Sequence, residues 1–161
     1  MKKYKGIVIF LNLILLLIIF NNNLYEKEEI LSEGKLVLLK LAPVDPRSLM
    51  QGDYMRLRYE ITNNIDFQNI PKRGFCVIKS NGQNIADKVR FQENATPLHE
   101  NEIIIKYRTS AYDLNIGAES YFFEEGQAEK YEVAEYGGLM VDDEGNSVLI
   151  GLYNKEKELI K

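Results

Sequence analysis

The chain has no tryptophan, one cysteine and one histidine among 161 residues, and each scarcity removes a class of protein. A lone Cys76 cannot form an internal disulfide, and its place between Phe75 and Val77 marks it as a small core residue rather than a reactive thiol. His99 stands by itself in the polar stretch TPLHENE, with no second histidine or cysteine beside it to build a metal site. No metal and no cofactor is expected. Positive charge is also short: once Lys2, Lys3 and Lys5 are set aside, 17 basic side chains face 24 acidic ones, a net of about −7. The basic residues alternate with acids, so the patch that tracks a phosphate backbone is missing and no nucleic-acid partner is expected.

What the chain does have is one long apolar run, from Gly6 to Phe20, broken only by Asn12 and preceded by three lysines. Its 15 residues match a signal-peptide core, but Asn21, Asn22 and Asn23 stand where a signal peptidase needs small residues. If Tyr4 and Tyr25 mark the two interfaces, the 22 residues they bound reach about 33 Å as a helix, enough for the hydrocarbon core. Residues 1–25 are therefore expected to be an uncleaved signal anchor that crosses the bilayer through residues 4–25. The lysines would stay in the cytoplasm and the rest of the chain would lie outside. Residues 26–34 form a short charged stalk that could extend the helix until Gly34 stops it.

Residues 35–161 read as one extracytoplasmic, β-rich domain. Lys35 to Leu41 is apolar on both faces and closed by Pro43, which suggests a buried strand. Asp45 and Pro46 have the order of a helix cap or type I turn, ending at Gly52. From Tyr54 the alternation is clean, with Met55, Leu57, Tyr59 and Ile61 on one side and Tyr54, Arg56, Arg58 and Glu60 on the other. Phe75–Lys79 and Ile85–Phe91 flank Asn81-Gly82, a hairpin signal because both positions accept φ > 0. Glu102–Ser110 and Glu119–Phe123 are further β runs, and Leu139–Asp142 and Ser147–Tyr153 form a second hairpin. Gln127–Tyr136 has helical spacing and is closed by Gly137 and Gly138, while the tail NKEKELIK reads as frayed or weakly helical. About seven strands with one short helix predict a mainly β fold, a sandwich or partly open barrel, behind an N-terminal transmembrane helix.

Gly52-Asp53-Tyr54, then Leu57 and Tyr59, resembles the pattern for which the bacterial GDYXXLXY family is named. Pro43, Asp45, Pro46 and Arg47 before it are similar to that family too, as are Phe123-Glu124-Glu125-Gly126, Tyr131-Glu132 and Tyr136 after it. So are Val141, Gly145 and Leu152 in the closing hairpin. The resemblance implies a small membrane-anchored protein of unassigned activity, and it brings no catalytic residues.

By alternation Leu57 and Tyr59 face the core, and a buried Tyr59 hydroxyl needs a hydrogen-bond partner. Gly52 suits a backbone position at φ > 0, with Asp53 accepting nearby amides. The candidate binding residues are Arg47, Asp53, Tyr54, Arg56, Glu124 and Glu132; Gly52, Leu57, Tyr59, Gly126 and Tyr131 are structural. Ser48 loosely resembles the nucleophile region of type I signal peptidases, but it follows its proline instead of preceding it, and Lys72 shows no sign of the burial a base lysine needs. Glu124 could instead bond amides at a helix start. No complete catalytic set exists. The residues favour a non-catalytic binding or accessory module of an envelope or membrane-protein complex, with a membrane-protein partner. The alternative is an envelope hydrolase using acids around Asp53 and Glu124.

Overall fold

The structure is a computed structural model that describes residues 2–42, 54–63, 65–67, 69–110 and 113–161, apart from the side chains of Lys2 and Lys3. Helix α1 runs without interruption over Lys2–Glu33, so the apolar run and the charged stalk are a single element. Its side chains are exposed from Tyr4 to Glu29, and Ile30 is its one buried residue. Gly34 ends it with a backbone bond from its N–H to the Ile30 carbonyl, 3.0 Å. A side chain at Gly34 would press on that carbonyl and come within 3.2 Å of the Val141 backbone, so the glycine lets α1 meet the domain closely.

Nine strands follow among the described residues: β1 Lys35–Lys40, β2 Tyr54–Arg56, β3 Arg73–Ser80, β4 Ala86–Gln92, β5 Glu102–Thr109, β6 Leu114–Asn115, β7 Ser120–Phe122, β8 Tyr136–Val141 and β9 Ser147–Tyr153. They form three antiparallel sheets, β1-β8-β9, β2-β7 and β4-β3-β5-β6, with no closed barrel. The mainly β expectation holds, and the two-residue β6 is the strand that falls where no β run was expected. β1 is buried on both faces, as its composition requires: Val37 and Leu39 enter the main core, while Leu38 is buried on the other side. Leu38 also bridges to Ile85 at the start of β4, which links the first sheet to the third.

The core lies between these layers. Val37, Leu39, Leu139, Val141 and Leu152 meet Cys76, Ile78, Ile105 and Tyr107, and Met55, Leu57, Tyr59 and Ile61 close the cluster. The tip of the β8–β9 hairpin ties across as well, its Gly145 carbonyl accepting the Lys106 N–H at 2.8 Å. In that acidic turn Asp142 accepts the N–H groups of Glu144 and Asn146 at 3.0 and 2.7 Å, and Gly145 takes φ +83°. The turn is made by hairpin chemistry.

Four local expectations are corrected. The helix expected over 127–136 is one turn, α2, Ala128–Tyr131. Gly137 and Gly138 do not stop a helix but lie inside β8, because the rings of Tyr59 and Tyr153 fill the space their side chains would need. At the β3–β4 turn the positive φ belongs to Asn84 (+61°), and the Asn81 carboxamide oxygen organises the loop by accepting the Gln83 and Ile85 N–H groups at 2.9 and 3.2 Å. The tail is neither frayed nor helical: Leu159 bridges to Tyr153, and the Ile160 N–H bonds the Leu152 carbonyl at 2.9 Å.

Candidate functional site

Residues 54–61 keep strict alternation of exposure although only Tyr54–Arg56 is in a ladder. Met55, Leu57, Tyr59 and Ile61 are buried, and Tyr54, Arg56, Arg58 and Glu60 are exposed. The segment holds its extended course beyond β2 through single bonds, from the Leu57 N–H to the Glu119 carbonyl and from the Ala42 N–H to the Arg58 carbonyl, both 2.8 Å. A 3-10 turn at Glu60–Thr62 then ends it, and the Thr62 hydroxyl bonds the Tyr59 carbonyl at 2.7 Å.

Tyr59 is 1% exposed. Its hydroxyl donates to the Ala118 carbonyl at 2.6 Å, which supplies the partner that burial demands. Burial pushes its ionisation well above the ordinary tyrosine value, with the Glu119 carboxylate adding to the effect. It is a neutral structural donor, not an acid.

On the outer face, Tyr54 lies directly across from Phe122 in β7, with ring centroids 5.7 Å apart. Phe122 is 73% exposed, so the pair forms an aromatic step at the surface. Arg56 reaches Asp113 at 3.2 Å. Arg58 meets no acid within ion-pair distance among the described residues. A groove of about 520 Å³ opens beside it, floored by Met55, Leu57 and Tyr131. Lys40 and Glu60, paired at 3.3 Å, stand on its rim with Arg58, Glu132 and Glu135. The groove thus joins an apolar floor to a charged rim.

A model of the GDYXXLXY protein family matches residues 16–152. The chain belongs to the GDYXXLXY family. No curated protein and no solved structure matches it.

Within the family motif, Gly52 and Asp53 lie outside the described residues, as do Arg47 and Ser48 upstream. Its other fixed letters divide by face: Tyr54 is outside, Leu57 and Tyr59 are inside. Of the remaining sequence-predicted residues, Tyr131 is buried against Tyr121 and Phe123, centroid distances 5.1 and 5.4 Å. Gly126 takes φ +80° in the turn before α2. The Glu124 carboxylate accepts the Gln127 side-chain amide at 2.8 Å, its main-chain carbonyl takes the Gln127 N–H at 3.1 Å, and the residue is not part of the groove wall. Glu132 is part of that wall. Lys72 is exposed. The described residues contain no group of three or more His, Cys, Asp or Glu that could hold a metal ion.

The GDYXXLXY letters do not by themselves point to Arg58, Phe122 or Glu135. Arg58 is reached by alternation from Tyr54, and Phe122 by alternation within ESYFF, where Tyr121 and Phe123 turn inward. Glu135 has no comparable signal, because its place on the rim depends on the chain leaving helix geometry after Tyr131.

Proposed function

We propose that the protein is a non-catalytic binding module, anchored in a bacterial membrane by α1, that docks a membrane-protein partner through the groove beside Arg58. The domain would lie outside the cytoplasm, with Lys2, Lys3 and Lys5 inside. The observation that carries this reading is the groove itself: buried motif residues Met55 and Leu57 form its floor, while Arg58, Glu132 and Glu135 rim it. The anchor is supported by an exposed helix, Tyr4–Glu33, with a mean hydropathy of 2.3 over its most apolar window. Because α1 leads directly into β1, the domain stays close to the membrane surface, where a membrane protein is the accessible partner.

Two fractions test it. The full-length chain should pellet with membranes after a carbonate wash, and mild detergent should then release it together with a stoichiometric membrane protein. A chain found in the soluble fraction, or released alone, contradicts the proposal.

A further inference from the structure

We propose that the outer face of β3, β5 and β6 carries a binding site for a phosphate-type anion, held between Arg73 and Arg108. The register sets these two arginines directly opposite each other. The Thr109 N–H bonds the Lys72 carbonyl at 2.9 Å just outside the pair, which makes it the non-hydrogen-bonded kind, whose side chains come closest. Like charges in that position repel. Elsewhere the chain supplies acids to its strand arginines: Arg90 is gripped by Glu102 at 2.7 and 2.9 Å, and Arg56 by Asp113 at 3.2 Å. Neither Arg73 nor Arg108 has an acid within ion-pair distance among the described residues.

A basin of about 740 Å³ opens over this pair. Lys106, two residues before Arg108 on the same face, stands at its edge, but its ammonium donates to the Asn146 side chain at 2.8 Å and lies 3.8 Å from the Glu144 carboxylate, so the anion is left to the two arginines. Asn115, opposite Arg108 in β6, adds a carboxamide to the wall. Of the two acids on the rim, Asp113 is already taken by Arg56, which leaves Glu93 against the two arginines. Two guanidinium groups side by side offer planar donor forks that a tetrahedral oxyanion can bridge, and the bound charge removes their repulsion. The cleft at the base of α1 that Lys106 also lines is acidic, with Glu26, Glu29, Glu33, Asp142, Asp143 and Glu144 on its wall, so a free anion is the expected source of the phosphate and a lipid headgroup is the other source the test separates.

The test is thermal unfolding of the full-length protein in neutral detergent, in sodium phosphate and in sodium chloride at matched ionic strength. A parallel arm uses nanodiscs of phosphatidylcholine with or without phosphatidylglycerol. Phosphate, or the anionic lipid, should raise Tm by several degrees over its control, and the arm that responds identifies the source. Arg108→Gln and Arg73→Gln should each begin at an equal or higher Tm, because repulsion is relieved, yet lose the increment. Lys79→Gln, an exposed change on β3 away from the basin, should keep it. Equal Tm in both arms of wild type, or an increment that survives both arginine substitutions, overturns the proposal.

Discussion

Tyr59 occupies the space in front of Gly137: a methyl group at that glycine would come within 2.8 Å of Tyr59 Cε1 and 3.0 Å of its hydroxyl oxygen. The ring cannot simply swing away, because the hydroxyl is bound to the Ala118 carbonyl. Gly137→Ala should therefore destabilise the domain by about 1–3 kcal/mol, the usual range for overpacking a filled core. Gly82→Ala, where nothing lies within 4 Å, should change stability by less than about 0.5 kcal/mol. Urea midpoints of the two variants check this, and equal midpoints would contradict the packing described.

Tyr59→Phe keeps the ring and removes only the bond to Ala118, leaving a carbonyl without its donor. A loss of about 1–2 kcal/mol is expected. Tyr59→Ala also empties the space before Gly137 and should cost about 3–5 kcal/mol. The gap between the two, read from the same denaturation series, separates hydrogen bonding from packing at this motif position.

Glu102 should make stability depend on acid. The Arg90 side chain, and then the His99 N–H, hold its carboxyl down at about 2, whereas an unfolded glutamate titrates near about 4.3. The unfolded chain thus takes up the proton first as pH falls. The contribution is fully present above about pH 4.5 and is lost as pH drops toward 2. Glu102→Gln should flatten the stability profile in that window. An unchanged acid slope would show that the Arg90 pair does not act in solution.

Cys76 is fully enclosed, and burial pushes its thiol up to about 12 against the lowering influence of Lys88. At pH 8 it should resist a thiol-specific disulfide reagent in the native state and react only as urea unfolds the domain. Rapid native labelling would contradict its place in the core.

Much of the fold is legible where one local rule decides it. Alternation from Tyr54 to Ile61 sorts eight residues to the correct faces even though the ladder there covers three. The apolar centre of β1, Val37–Leu39, is buried on both sides, and Gly34 ends α1 where the charged stalk meets the domain. Legibility fails where a distant residue overrides the rule. Gly137 and Gly138 look like a helix stop because the rings that fill their space, Tyr59 and Tyr153, are not neighbours in sequence. The same limit hides the groove. Lys40, Arg58 and Glu132 carry no shared local signal, and they converge only once the Leu41 N–H bonds the Glu135 carbonyl and the Ala42 N–H bonds Arg58. The arginine pair on β3 and β5 depends on register alone, which spacing within either strand does not set.

On the proposed function, the groove beside Arg58 receives a membrane partner. Quantitative co-purification from detergent-solubilised native membranes tests it most directly, comparing full-length wild type with Arg58→Glu and Glu132→Lys. Both changes lie at exposed rim positions outside the core, so circular dichroism should be unchanged. Wild type should recover a stoichiometric membrane protein, and each variant should recover at least about tenfold less, a loss of about 1.4 kcal/mol in binding. A wild-type chain recovered alone, or variants that hold the partner as wild type does, would exclude docking at this groove.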